Sequence, residues 1–494
     1  MLTKLLLTGA LVLGVNPPAA PVEVLAPGVE VWSVTLGQGT GHNSWTVTVA
    51  VPSSSQDPDA PPAALGTQDH AQALVQALSA KGFAARAEEV DWPAFADSPR
   101  GALGWRVRVG SFSSQAAAAS TAAAMKAAGF TVTTEWTGQD GPQSQGPEHV
   151  KVAVVDPRRF TGQVVATHGP SATGRRTTSS LAAAAGALVG VNGGFFVIDP
   201  ADGIPGEAAG LGVYDGQLQS EATDGRVELA LGQRPSIGSL RTQVTVNGMT
   251  VNGVNRKPGI IRNCGEPGDQ PTSKPLHDTT CANPNELVLF TPQLGTSTPA
   301  GDGVQAVLDA HGVVTALQPR GGDVPANGHV LQGIGTGAAW LSAHAQPGAK
   351  LRLDSRVVDQ RGRTVQAQGV LNGGPWLVRD GRVSVDAVAD GVSHPGDPSY
   401  LYGWAIKRNP RTMVGLDRSG RLIIVTVDGR QPGYSEGFSV LEGARMLAGL
   451  GAVQAMNLDG GGSTAMAVNG KLVTSPSDAT GERPIGDALL ILPH

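Results

Sequence analysis

Three apolar segments of this chain end on the same kind of turn, and any fold has to bring those ends somewhere. Leu188-Val189-Gly190-Val191 runs into Asn192-Gly193-Gly194-Phe195-Phe196, Val370-Leu371 into Asn372-Gly373-Gly374-Pro375-Trp376, and Ala455-Met456 into Asn457-Leu458-Asp459-Gly460-Gly461-Gly462-Ser463-Thr464. Each puts an amide or carboxylate at the end of a buried strand and then removes the Cβ atoms. Paired glycines reach positive φ and let a ligand approach the main chain, and successive N–H groups in such turns form a nest for an anion. A single Asn-Gly-Gly is an ordinary hairpin turn. Three of them, flanked by aromatics or hydroxyls, point to a common rim with a phosphate as its natural guest.

Composition agrees with a strand-and-turn fold. The 494 residues include 68 Gly and 35 Pro, with 40% hydrophobic and 16% charged residues, which favours many short strands over long helices. That length suggests two to four domains. The net charge is -5, with Lys and Arg scattered singly or in pairs, so no basic block marks nucleic-acid binding. Residues 1–20 carry Lys4, an apolar run from Leu5 to Val15 and then Pro17-Pro18-Ala19-Ala20, the order of a secretory signal peptide. That run falls short of the ~20 residues that cross a bilayer, so a secreted or wall-associated chain of bacterial-type export is expected. Cys264 and Cys281 are the two cysteines. In an exported protein they are expected to pair, closing a loop of roughly 16 residues worth on the order of 3 kcal/mol.

Between Trp45 and Trp136 the pattern predicts strand, helix, strand, strand, helix, strand. Ala71, Leu74, Val75 and Leu78 have helical spacing before Gly82; Trp105 to Gly110 alternates as a strand; Ser113 to Ala128 is an Ala-rich helix stopped at Gly129. This duplicated plan, with Val107 to Phe112 as a valine-rich strand ending in Gly-Ser-Phe, resembles the SPOR domain. The resemblance implies a small βαββαβ module over 31–137, interrupted by a Pro/Ser/Ala linker at 53–66, that binds peptidoglycan glycan strands. A linker at 138–148 then leads to a strand-rich mixed domain over 149–494, giving an α+β chain with few helices. Within it, Asp380-Gly381 and Asn469-Gly470 are hairpin signals, and Ser439-Val440-Leu441-Glu442 fits a capping box ahead of an apolar helical stripe.

Charged residues that can join the rims lie on either side of the last turn. Arg408-Asn409-Pro410-Arg411-Thr412 precedes an apolar strand that ends in Asp428-Gly429-Arg430, and Gly481-Glu482-Arg483-Pro484 follows. A guanidinium forks two hydrogen bonds onto a phosphate, so Arg411 and Arg430, at opposite ends of one strand segment, are natural anion ligands. Taken in order with the three turns, these motifs resemble the signature series of the phosphodiester glycosidase family over about 340 residues. The resemblance implies hydrolysis of a sugar-1-phosphodiester at its glycosidic bond, with N-acetylglucosamine-1-phosphodiester as one candidate, in an envelope or extracellular glycan.

On that expectation Asp459 has the first claim on the carboxylate role and Glu482 the second, while Asp428 either joins them or orients Arg430. Phosphate and substrate fall to Arg411, Arg430 and Arg483, to Asn192, Gly193, Gly194, Asn372, Gly373, Gly374 and Asn457, and to Thr412, Gly460, Gly461, Gly462, Ser463 and Thr464. No cofactor is implied; the Asp/Asn-rich rims leave room for a divalent cation, but no ligand spacing names one. Two other readings stand beside this one. Gly461-Gly462-Ser463-Thr464-Ala465 is a loose serine-nucleophile turn lacking the helix that should follow it. A non-catalytic wall-binding protein would hold glycans in both modules without turnover.

Overall fold

Residues 148–155 and 422–427 are apolar at most positions, and such strands must be covered on both faces. The computed structural model describes residues 21–494 apart from 38, 40, 53–60, 142–143, 224, 263–279, 296 and 394–395. In it, Glu148–Val155 and Leu422–Val427 pair at the centre of an eight-stranded sheet. Side-chain alternation divides them between two cores. Val150, Val152, Val154, Ile423, Val425 and Val427 point to one face, where the helix Val440–Gly449 covers them. Ala153, Val155, Leu422 and Ile424 point to the other, against Val189 and Val191 from one smaller sheet and Leu229 and Leu371 from another.

This layering distributes the three turn-bearing strands over three sheets. Ala452–Asn457 lies in the eight-stranded sheet beside Arg411–Asp417; Gly369–Asn372 in a seven-stranded sheet beside Val227–Leu231; Val189–Asn192 in a five-stranded sheet beside Ala488–Leu492. A further five-stranded sheet carries the helix Thr336–His344 and builds its own core from residues such as Val246, Leu308, Leu331 and Leu341.

The N-terminal module has the expected βαββαβ order: Trp45–Val49, Gln68–Ala80, Ala85–Asp91, Ala102–Phe112, Gln115–Ala127 and Val132–Trp136. Its helices start on Thr67 and Ser114, whose hydroxyls accept from His70 N and Ala117 N. Leu78, Ala118 and Met125 pack on Val47, Val107 and Val109 on one face of an antiparallel sheet. The module does not begin where the sequence placed it. Val29–Leu36 pairs along its length with Glu148–Val155, so the chain first enters the large sheet, leaves it to build the module and returns at 148. That pairing spans more than a hundred residues, and local alternation carries no trace of it.

Both expected hairpins form, with φ of 49° and 74° at Asp380-Gly381 and 50° and 73° at Asn469-Gly470, the left-handed pairs of a type I′ turn. The capping box at Ser439 and Glu442 is present. The signal-like residues 1–20, most of the 53–66 linker and Cys264 lie outside the described residues; Cys281 is buried. Among the described residues no helix is long and apolar enough to cross a membrane.

One charged cluster sits where the chain re-enters the sheet. Arg408 lies between Glu148, at 3.2 Å, and Glu442, at 2.6 Å. Burial pushes the Glu148 carboxyl up to about 8; Arg408 opposes this, and Glu442 and Glu436 add to it. An acid raised in the fold stabilises it when protonated, and that contribution is lost as pH climbs from about 4.5 through about 8. Glu148→Gln is therefore expected to match the parent's melting temperature at pH 5 and exceed it at pH 9. A variant that melts lower than the parent at pH 9 would mean that the Arg408 ion pair outweighs burial.

Candidate active site

The three turns converge and hold one another in a ring. Asn192 donates to the Asp459 carbonyl at 2.8 Å, so the first turn grips the third. Asn372 accepts from Phe195 N at 2.9 Å and donates to Phe195 O at 3.2 Å, so the second turn grips the first. Asn457 donates to Gly374 O at 3.2 Å while Gly374 N donates to Asn457 O at 2.8 Å, so the third grips the second. All three asparagines are buried. A side-chain amide at a strand end presents a donor and an acceptor together, which lets it stand in for a neighbouring strand where the ladder stops. Thr412 completes the brace by donating to Asn192 Oδ1 at 2.5 Å.

Above this ring lies a cavity of about 520 Å³. Its polar wall brings together Asp459, Gly460, Gly461, Gly462, Asn457 and Gly374 from the turns, and Arg411, Arg430 and Arg483 from elsewhere in the chain. Its apolar wall is Phe195, Phe196, Pro375 and Trp404. Asp459 is fixed through its main chain, with its N–H on Gly193 O at 3.1 Å and its carbonyl on Asn192; its Oδ1 accepts from Gly460 N at 2.8 Å.

The arginines are held in an unusual way. Arg411 is 5% exposed and spends its donors on carbonyls, Nε on Phe438 O at 2.6 Å and Nη2 on Trp404 O at 2.7 Å. Arg430 donates from Nε to Asn409 Oδ1 at 3.0 Å. Among the described residues neither makes an ion pair. Burial, then Arg430, push Arg411 down to about 9, and burial, then Arg483, push Arg430 down from its ordinary value. Glu442 offsets only part of the cost at Arg411, and Asp478 and Asp459 only part of that at Arg430, so two crowded cations attract an anion that would add Coulombic compensation. Arg483 is already matched by Asp478, at 2.8 Å.

Not every residue expected at the site lines it. Glu482 accepts from Ser179 N at 2.8 Å and from the Ser179 hydroxyl, at the start of the helix Thr178–Ala184. There it faces a helix N-terminus, as carboxylates favour, and the catalytic role expected for it has no geometric support. Asp428 accepts from Tyr434 Oη at 3.1 Å and Ser475 N at 3.0 Å and is 1% exposed, so it braces the loop that carries Arg430. Gly193, Gly194 and Gly373 lie beneath the cavity with Thr412, where a Cβ on Gly193 or Gly194 would meet Asp487 or Asn372 within 3 Å. The Ser463 and Thr464 hydroxyls are buried without hydrogen-bond partners, outside the lining, so the nucleophile turn lacks both access and a base.

Sequence reasoning missed Trp404 and Arg175, which reach the cavity from segments carrying no rim motif, and gave no role to Asn409 inside the motif that holds Arg411. Trp404 sits in a π-helical turn, Tyr402–Ile406, a wide helical form that often marks functional positions, but it has no sequence signature. Gly462 shows how tightly the third turn is fitted: a Cβ there would lie 2.2 Å from Arg483 Nη2 and 2.3 Å from Asp478 Oδ1. Gly462→Ala should displace that pair into the cavity, reducing kcat/KM for a cleaved substrate by roughly 10-fold to 100-fold with little change in melting temperature. Unchanged kinetics would show that the Arg483 edge is not used.

A strand-end cavity lined by arginines, a carboxylate and a glycine-rich rim has the groups that a phosphorylated ligand would need. Residues 302–492 match the phosphodiester glycosidase family model and residues 63–133 the SPOR domain model, so the chain carries a phosphodiester glycosidase segment with a SPOR domain ahead of it. It is similar to N-acetylglucosamine-1-phosphodiester alpha-N-acetylglucosaminidase of Bos taurus, 32% identical over 126 residues that make up 25% of this chain and 23% of the relative. The human enzyme of that name is 31% identical over 126 residues, 25% of this chain and 24% of its own. The match thus spans about a quarter of the length of these curated relatives. The crystal structure of a putative exported protein from Burkholderia pseudomallei superposes with a TM-score of 0.83 at 33% identity, covering 96% of both chains. A hypothetical protein from Synechocystis shares the fold, with a TM-score of 0.53 at 17% identity over 96% of this chain and 81% of its own.

Proposed function

We propose that this chain hydrolyses the glycosidic bond of a sugar-1-phosphodiester in a bacterial envelope or extracellular glycan, releasing a reducing sugar and a phosphomonoester. The observation that carries this reading is the pair of arginines, Arg411 buried and Arg430 exposed to the cavity, on the same wall as Asp459 and crowded by one another and by Arg483. A phosphomonoester leaving group, with its second pKa near 6, departs readily once its charge is held, so an arginine pair can replace much of the work of a general acid. The sugar ring lies against Phe195, Phe196 and Trp404. Asp459 then serves the anomeric carbon. It either attacks that carbon itself, giving an intermediate that water opens, or takes the proton from a water that attacks it; in both cases the C1–O bond to phosphate breaks through an oxocarbenium-like state.

The relatives named for an N-acetylglucosamine-1-phosphodiester make that sugar the first to try, and the exported structural neighbour and SPOR domain favour an envelope or extracellular location. Incubation of the purified chain with such a phosphodiester, followed by assays for reducing sugar and phosphomonoester, should give both in equal amounts. Saturable binding without either product would instead support a glycan-holding role.

A further inference from the structure

We infer that the SPOR domain is a positioning element of the active site, acting through Glu135 and Lys407 on the segment that holds both phosphate-facing arginines. This inference rests on the proposed arginine site and extends it to a domain with no residue in the cavity.

The domain's sheet has two faces. One packs on its own helices through Val47, Val107 and Val109. The other carries Thr48, Glu88, Arg106, Arg108 and Glu135, and the catalytic domain covers it. Arg108, 1% exposed, bonds Asp140 at 2.5 and 2.7 Å and Glu135 at 3.0 Å. Arg106 reaches the hydroxyl of Tyr402, whose own burial pushes it up to about 12. Lys407 Nζ lies 2.8 Å from Glu135 Oε1. Burial would lower the lysine's pKa, but Glu135 outweighs that and holds it up. A polar sheet face this well matched to a neighbouring domain is a fixed joint.

What the joint fixes is the segment 402–411. Within it, Trp404 O and Lys407 O accept from Arg411 Nη2, at 2.7 and 3.4 Å. Asn409 donates to Gly403 O at 3.0 Å and Lys407 O at 3.1 Å, and its Oδ1 receives Arg430 Nε at 3.0 Å. Lys407 is therefore the hub: its side chain is gripped by the SPOR domain, and its carbonyl meets Arg411 directly and Arg430 through Asn409. A shift of this segment by a fraction of an ångström moves both guanidiniums together.

The test compares the full-length parent with Glu135→Gln, Lys407→Arg and Tyr402→Phe, reading inorganic phosphate affinity by calorimetry and KM and kcat on the sugar-1-phosphodiester. Glu135→Gln leaves a buried lysine unmatched, and both the phosphate dissociation constant and KM should rise about 10-fold, with kcat changing less. Lys407→Arg, which keeps the charge, should raise both constants by less than Glu135→Gln. Tyr402→Phe keeps the ring and serves if Glu135→Gln does not fold; it should raise both constants by a smaller factor. A folded Glu135→Gln, or failing that Tyr402→Phe, with parental phosphate affinity and KM overturns the inference. A parent that neither binds phosphate nor turns over overturns the reading of the arginine site itself.

Discussion

Asp459→Asn should lower kcat on a sugar-1-phosphodiester by about 10³-fold, in the range found when a positioned acid, base or nucleophile is removed, while the protein melts where the parent does. The separation of the two effects follows from how the residue is held. Its N–H bonds Gly193 O and its carbonyl receives Asn192, and neither bond involves the carboxylate. Its Oδ1 accepts from Gly460 N, which an amide oxygen in the same place can do equally well. The substitution therefore keeps volume, main chain and local hydrogen bond and deletes the charge. Asparagine can neither form the glycosyl ester nor take a proton from water, so both versions of the mechanism fail. A variant with kcat within a few-fold of the parent would remove Asp459 from the chemistry and pass the role to Asp478, which lines the cavity beside Arg483, since Glu482 caps a helix and Asp428 is enclosed by its own loop.

The parts of this molecule that were legible in its sequence are those whose cause is local. Helical spacing between Ala71 and Leu78, the hydroxyl caps and the Gly stops predict the SPOR domain's element order, because a helix is specified within its own few turns. Asp380-Gly381 and Asn469-Gly470 fix hairpins because few other pairs adopt two left-handed residues in succession. The shared rim was legible for a similar reason, since three glycine-rich strand ends have few uses. What was not legible is non-local. The return of the chain from Leu36 to Glu148 depends on pairing across the whole SPOR domain. The asparagines read as ligand contacts, and the structure also uses them to tie three sheets together, with Asn457 reaching the cavity as well. Glu482 and Arg483 are sequence neighbours in a bend, yet Arg483 lines the cavity while Glu482 reaches the Thr178–Ala184 helix.

Arg430 offers a sharper test than any loss of activity alone, because its function and its fold should pull in opposite directions. Its backbone has φ of 57°, in the left-handed region that a side chain occupies at a strain of about 1–2 kcal/mol. Its guanidinium faces the cavity beside Arg411 and Arg483, which repel it, with no ion pair of its own among the described residues. Both features disfavour the empty fold, and both are explained if the residue is retained for an anion. Arg430→Gly relieves the backbone and removes the repulsion with Arg411 and Arg483, offset by the larger entropy of an unfolded glycine, so its melting temperature should equal or exceed the parent's. The same change leaves Arg411 alone to hold the phosphate, and KM for the phosphodiester should rise roughly 10²-fold, within the range seen when one partner of a buried charge contact is removed. Inorganic phosphate should raise the parent's melting temperature and lose most of that effect on the variant, since only a ligand that binds the folded state stabilises it. A structural arginine would give the reverse pattern, a lower melting temperature with KM unchanged, and that result would take the phosphate site away from this wall of the cavity.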